Sequence, residues 1–381
     1  MRVAVLTNSL PPQTLGGAGR IALIQAEYLH KAGHEVRIFL PEPYGGHFDG
    51  LEIQTFKPHT VTGYHNLSVK SIFSRLIFHW QDLSANMRAA DRIIAWKPQV
   101  IISHNLTGCG WKTPAMVQMA GAKWIHILHD VQLFEPSGQI KITETQKFVR
   151  QHWRRFWTRL RLKSLGRPDA IVSPSNWLLQ LHRQYGLDIA NSKVIPNPAV
   201  LPDTALRQNI TDTPVALYVG RLSEDKGIKL LINAWQKNNP RPGVLKIVGN
   251  GPLQSWLNNL DDESVQCLGP LSSQEVGDMM YSGNLLIFPS LIMENQPTVL
   301  LEAVAAGLNV IASDTGGVAE MLGDYGQIIN LTGTDSAEKL ALAIKTQINR
   351  PLNMQLREQI LKHHDLDRIM QEYLDVITLQ C

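Results

Sequence analysis

Leu285-Leu-Ile-Phe288-Pro-Ser-Leu-Ile-Met-Glu294-Asn-Gln-Pro297-Thr-Val-Leu-Leu-Glu302-Ala-Val-Ala-Ala-Gly307 reads as a strand, a loop and a helix in succession. The apolar run ends at Phe288, and the loop after it carries Glu294. Pro297 suits the first turn of a helix, where its missing N–H costs nothing. Gly307 suits the residue just past the helix end. Glu294 therefore precedes the helix and Glu302 lies inside it. Between them, the unpaired N–H groups of the helix start can face an anion.

Working outward, the same grammar recurs. Strands are expected at Val215–Val219, Val244–Val248, Val265–Leu268, Val310–Ala312 and Gln327–Asn330, with helices between them. The first half reads likewise, with strands at Val3–Asn8, Glu35–Leu40, Val100–His104, Trp124–His129 and Ala170–Ser173. Helices are expected at Gly19–Ala32, Ser71–Trp96, Thr143–Leu165 and from Ser175. In Ser71–Trp96, residues Phe73, Leu76, Ile77, Trp80, Leu83 and Met87 fall on one broad apolar face. Strands alternating with helices predict parallel sheets covered on both faces.

The chain's 381 residues suit two domains of roughly 100–200 residues each. The proline-rich stretch Pro196–Pro214 marks the boundary. The expected division is 1–197, 198–364 and a C-terminal helix, 365–381, that packs back on the first domain. A net charge of +3 does not call for nucleic acid. Cys109, Cys267 and Cys381 are few, odd in number and far apart, which fits a reducing compartment. Met1–Asn8 reads as a first buried strand rather than a secretion signal, so a cytoplasmic location is expected. The Asn-x-Ser/Thr triplets at Asn66, Asn105, Asn209 and Asn330 are then chance occurrences.

Several strand ends carry polar groups. Gly220-Arg221-Leu-Ser-Glu-Asp-Lys226-Gly227 follows the first strand of the second domain. Arg221 offers a fork for phosphate oxygens and Lys226 a compact charge, although solvated surface cations are the commoner fate of both residue types. Gly249-Asn250-Gly251-Pro is a tight turn after the next strand. Gly16-Gly17-Ala-Gly19-Arg20 opens the first helix, and glycine there allows close backbone approach to a phosphate.

With these segments in view, the sequence resembles the family-4 retaining glycosyltransferases, the "glycosyl transferases group 1" of the GT-B fold. The likeness runs along almost the whole chain and includes Leu128-His129-Asp130, Val172-Ser173-Pro174-Ser175, Val194-Ile195-Pro196-Asn197 and Gly316-Gly317-Val-Ala-Glu320. It implies two Rossmann-like, doubly wound α/β domains facing an interdomain cleft. An acceptor would bind the N-terminal domain and a nucleotide-diphosphate sugar the C-terminal one. It implies that Arg221 and Lys226 bind the diphosphate and Glu302 the ribose. Glu294 would touch the transferred sugar, with His129 near it. Gly16 and Gly17 would close over the phosphates. Asn295, Gln296, Pro297 and Thr298, with Gly249, Asn250 and Gly251, complete the expected donor site. Many members have Glu-Gly-Phe where this chain has Glu294-Asn295-Gln296, so contact with the donor sugar differs at that point.

The resemblance implies transfer with retention to a saccharide, glycolipid or small-molecule hydroxyl, without cofactor or metal. Loops such as Gly45–Gly63 would select the acceptor. Asp365-Leu-Asp367 reads as a helix start, and a metal set of His363, His364 and Asp365 is set aside. Three rival readings stand beside this one. Gly17-Ala-Gly19-Arg-Ile-Ala22 formally fits a dinucleotide fingerprint but lies too far from Asn8 for an NAD-dependent oxidoreductase. The others are a GT-B epimerase or phosphorylase and a non-catalytic nucleotide-sugar-binding protein. Finally, Lys147–Lys163 is basic, aromatic and free of acid. The favoured reading is a packed helix with a solvated basic face. The alternative is a peripheral contact with anionic lipid.

Overall fold

The computed structural model describes residues 1–12, 17–60, 71–142, 148–187, 190–200, 213–238 and 241–378. Gly16, residues 61–63 of the Gly45–Gly63 loop, Asn66, Lys147, residues 201–212 of the linker and Cys381 lie outside them. Contacts divide the chain into two units. The first comprises Met1–Gln139, Lys147–Pro196 and Asp367–Cys381, and the second Ile140–Gln146 and Asn197–Leu366.

In the first unit the strands are β1 (Arg2–Leu6), β2 (Glu35–Pro41), β3 (Glu52–Phe56), β4 (Val100–Ser103), β5 (Lys123–Ile127), β6 (Ala170–Ser173) and β7 (Ser192–Val194). Its helices up to the linker are α1 (Gly17–Lys31), α2 (Ile72–Asp82), α3 (Met87–Trp96), α4 (Thr113–Met119), α5 (Phe148–Leu165) and α6 (Asn176–Gln184). The strands form one sheet in the order β3-β2-β1-β4-β5-β6-β7, with every pair parallel.

The second unit holds β8 (Val215–Val219), β9 (Val244–Val248), β10 (Val265–Gly269), β11 (Leu285–Phe288), β12 (Asn309–Ser313) and β13 (Gln327–Ile329). With them are α7 (Ile228–Lys237), α8 (Gln254–Asn258), α9 (Ser273–Ser282), α10 (Thr298–Ala306), α11 (Val318–Leu322), α12 (Ser336–Gln347) and α13 (Met354–His363). Its sheet is also parallel, in the order β10-β9-β8-β11-β12-β13. Alternate strand residues enter separate cores. Ala216, Tyr218, Leu285 and Ile287 join one cluster, while Val215, Leu217, Leu286 and Phe288 join the other. A strand buried on both faces has no polar side, which explains the unbroken apolar runs. The last helix, α14 (Leu366–Thr378), clusters with the first unit. There Lys123 donates to the carbonyls of Val376 and Ile377, both at 2.8 Å.

Three sequence expectations are corrected. The expected helix Ser71–Trp96 is two helices. Asp82 ends α2 and turns its carboxylate to the N–H groups of Gly108 and Gly110, at 3.0 Å. Asn86 then caps α3 by accepting from the Ala89 N–H. The same anchoring turns α2 around. Phe78, His79 and Asp82 are buried, whereas Phe73, Leu76 and Trp80 face outward. In α5, Arg154 and Arg161 are buried rather than solvated: Arg154 Nε donates to Glu135 at 2.9 Å, and Arg161 packs over Trp111 and Trp157. The division at residue 197 also misses one excursion. Residues 140–142 join the second unit because Ile142 N–H donates to Leu291 and Met293 N–H to Ile140.

The first unit buries several histidines. Burial chiefly, helped by Arg161 and Arg75, lowers His79 to about 3. Burial, with His129 and His182 nearby, lowers His126 to about 3. Burial also takes His129 and His182 to about 4 and His104 well below the ordinary range. Unfolded histidine titrates near ~6.5, so unfolding takes up protons between that pH and the lower folded values. Stability from these five groups is present above pH 6.5 and is lost as pH falls toward 4. Asp82 and Asp130, raised by burial to about 6, oppose this between pH 6 and 4. The balance predicts a net uptake of ~3 protons on unfolding near pH 5. Thermal melts in buffers of differing ionisation enthalpy should show it as a falling Tm on acidification. A Tm unchanged from pH 7.5 to 5 contradicts the expectation.

Candidate active site

Each sheet reverses its strand order once, between β1 and β4 in the first unit and between β8 and β11 in the second. Ligands of open α/β sheets bind beyond the carboxyl ends of the strands at such a point. In the second unit the loops after β8 and β11 carry Arg221, Lys226 and Glu294.

These loops are drawn together by side chains and locked by glycines. Lys226 Nζ stands 2.5 Å from Glu294 Oε1. Ser290, buried at the end of β11, donates its hydroxyl to the same oxygen at 2.7 Å. Both bonds fall on Oε1, which leaves Oε2 for a ligand hydroxyl. Gly227 has φ +73°, and a Cβ there would lie 1.9 Å from the Pro289 carbonyl oxygen. Gly316 has φ +62°, and its Cβ would lie 1.9 Å from the carbonyl oxygen of Glu294. The Gly317 N–H donates to that same carbonyl at 2.9 Å. Only glycine permits the close approach that fixes the backbone of Glu294.

Arg221 is exposed and makes no ion pair with another described residue. Its carbonyl accepts from the Tyr218 hydroxyl at 2.7 Å, which fixes the turn from beneath. Burial raises the Tyr218 phenol, and the charges of Glu294 and Asp225 raise it further, so it remains a donor. The Gly249-Asn250-Gly251 turn lies beside this one, with Leu222 N–H donating to the Asn250 carbonyl at 2.8 Å.

Pro297 sits at the N-cap of α10, one residue earlier than the first turn expected. Thr298 opens the helix and Glu302 lies one turn in, half-buried. Asn295 is half-buried beside Glu294. Gln296 is buried, and its Oε1 accepts from the Asn197 N–H at 2.7 Å. His364 Nδ1 in turn meets the Asn197 carbonyl at 2.7 Å. Gln296 thus braces the loop from behind through this oxygen. At the far end of α10, Arg357 donates to the carbonyls of Val304 and Ala305, satisfying helix-end acceptors.

In the first unit, His129 follows β5 and is half-buried. Its Nε2 lies 2.8 Å from Nδ1 of the fully buried His104, and the rings stack at 5.1 Å. With both pKa values depressed, the pair is neutral at pH 7, one nitrogen donating and the other accepting. Asn105 is half-buried beside His104. Gly17 is the first residue of α1. Sequence reasoning missed Ser290 and Tyr218. Ser290 carried one signal, a hydroxyl placed between a strand end and Glu294. Among the described residues, no group of three or more His, Cys, Asp or Glu side chains is arranged to hold a metal ion.

Comparison with known proteins agrees with this geometry. The model of "Glycosyltransferase Family 4" matches residues 15–201, and that of "Glycosyl transferases group 1" matches residues 213–350. The chain belongs to this family of glycosyltransferases and has the GT-B fold. An uncharacterized 42.6 kDa protein in the cps region of Klebsiella pneumoniae is 22% identical over 386 residues, covering 98% of each chain. The lipopolysaccharide 1,2-N-acetylglucosaminetransferase of Salmonella typhimurium is 30% identical over 214 residues, 50% of this chain and 55% of that one. Among solved structures, Anabaena Alr3699/HepE in complex with UDP superposes with a TM-score of 0.71 at 17% identity, covering 99% of this chain and 100% of that one.

The locked loop makes a direct prediction. Gly316→Ala should destabilise the second unit by ~2–4 kcal/mol, since it adds a steric clash to a strained φ. It should lower turnover further by displacing Glu294. Urea unfolding and initial rates measure the two effects, and a near-neutral variant contradicts the locking role.

Proposed function

We propose that the chain moves a sugar from a nucleoside-diphosphate donor to a hydroxyl of a saccharide or glycolipid acceptor, with retention at the anomeric carbon. The observation that carries this reading is the Lys226–Glu294 pair at the switch point of the second sheet, beside the N-terminus of α10. The relatives support it: one is a lipopolysaccharide N-acetylglucosaminetransferase and another was solved with UDP.

Arg221, Lys226 and the first N–H groups of α10 bind the diphosphate. Gly249, Asn250 and Gly251 line the donor, and Glu302 accepts the ribose hydroxyls. Glu294 Oε2, with Asn295 and Thr298 near it, orients the sugar. As the bond from the anomeric carbon to the phosphate oxygen breaks, charge grows on the leaving phosphate. Groups placed there stabilise the transition state more than the ground state. The acceptor oxygen bonds to the anomeric carbon on the same face and passes its proton to the leaving phosphate oxygen. No cofactor enters this scheme. Our reading is of a cytoplasmic enzyme, with any membrane contact peripheral.

Three measurements test the reading. A thermal-shift screen with UDP, GDP and ADP, free and as sugar conjugates, should show selective stabilisation by one base. Arg221→Ala and Lys226→Ala should each lower kcat by ~10²-fold or more, as loss of an oxyanion-hole donor does. NMR of the fresh product should show the donor's anomeric configuration, and an inverted product overturns the same-face step.

A further inference from the structure

The loop that ends at Glu294 takes main-chain partners from two other segments. The Leu291 N–H donates to the Asp225 carbonyl at 2.8 Å, inside the turn that carries Arg221 and Lys226. Further bonds run to a strap, residues 140–142. The Ile142 N–H donates to the Leu291 carbonyl at 3.0 Å, and the Met293 N–H donates to the Ile140 carbonyl at 2.7 Å. Between these two bonds Lys141 stands opposite Ile292 in an antiparallel bridge. Ile140 and Ile292 are buried, and Lys141 is exposed.

The chain enters this strap from the first unit, which extends to Gln139. Its approach is fixed there. Glu135 accepts from Arg154 Nε at 2.9 Å and from the Ser137 hydroxyl at 3.0 Å. Gly138 turns the chain at φ +70°, and its N–H donates to the Glu135 carbonyl at 2.8 Å. The strap is therefore held before it reaches the second unit's loop. Covering Ile292 would need only an apolar side chain. Two main-chain bonds do more: they fix the backbone of Leu291 and of Met293, the residue before Glu294, and satisfy groups that would otherwise lose these partners.

We propose that residues 140–142 position Glu294 for the transferred sugar. This rests on the donor reading given above. Arg221 and Lys226 hold the diphosphate in that reading, so the strap bears on the sugar more than on the nucleotide. Any displacement of the first-unit loop that follows His129 then acts on Glu294 through the same two bonds.

The full chain and the Ile142→Pro variant test this by titration calorimetry. UDP, GDP and ADP, each free and as its glucose conjugate, are the probes. Ile142→Pro removes the N–H given to Leu291 and leaves every donor residue in place. The conjugate that binds the wild type should bind the variant ~10-fold more weakly, the loss expected from a misaligned hydrogen bond to a charged group. The free nucleoside diphosphate should bind as before. Ile142→Val keeps the N–H and should match the wild type. Equal weakening of both ligands shows a merely structural strap and overturns the proposal, as does no change in either. Hydrogen exchange of the wild type tests it without any variant. Adding the conjugate should slow the Ile142 and Met293 amides together, and slowing at Met293 alone overturns the proposal. A wild type that binds none of the probes overturns the donor reading itself, and the proposal with it. Wild-type binding with an unaltered variant overturns the proposal only.

Discussion

Parallel strands can be joined only by crossovers, and covering both faces of one sheet forces the crossovers to change direction once. That reversal is the constraint on which the second unit depends. The loops after β8 and β11, on either side of it, leave in opposite directions and open a gap between them. Without a held geometry, two such loops would be mobile. Here Gly227 and Gly316 bring backbone against backbone at distances that no side chain permits, and Lys226 closes the gap through Glu294. These contacts hold the two loops against each other.

The same ion pair divides the labour of the charges. Lys226 has three donor hydrogens and uses one on Glu294. Two remain, so in the proposed complex one cation both fixes the carboxylate and meets the diphosphate. In the proposed complex the second carboxylate oxygen of Glu294 accepts from a sugar hydroxyl. Arg221, exposed and unpaired among the described residues, keeps its whole fork for a ligand. A cation already neutralised on both sides would contribute little when charge develops on the leaving group.

Much of this was legible in the sequence because it is local. Residues Leu285 to Gly307 encode strand, loop and helix within one stretch, and the apolar run shows burial on both faces. The unread parts depend on distant partners. Periodicity placed Phe73, Leu76 and Trp80 on one face of α2 but could not say which way that face turns. The answer lies in Gly108 and Gly110, whose N–H groups hold Asp82 inside. The arginines of α5 looked solvated because arginine usually is; Glu135 and Trp111 bring Arg154 and Arg161 inward. The partner of the Gln296 oxygen, the Asn197 N–H, lies 99 residues away in sequence and was equally unreadable.

In the first unit these long-range contacts invert the usual partition. Arg161 is wholly buried between the rings of Trp111 and Trp157. Burial lowers it only to about 10, since Asp82, Asp130 and Glu135 counter the loss of solvent, so it enters the core charged. A buried ionic cluster of this kind contributes little net stability, because desolvation offsets the attraction. Each large apolar side chain left outside forgoes about 1.5–3 kcal/mol of burial. Phe73, Leu76 and Trp80 all stand outside while Asp82 and His79 of the same helix stand within. The observed rotation follows instead from Asp82, whose carboxylate the N–H groups of Gly108 and Gly110 hold inside.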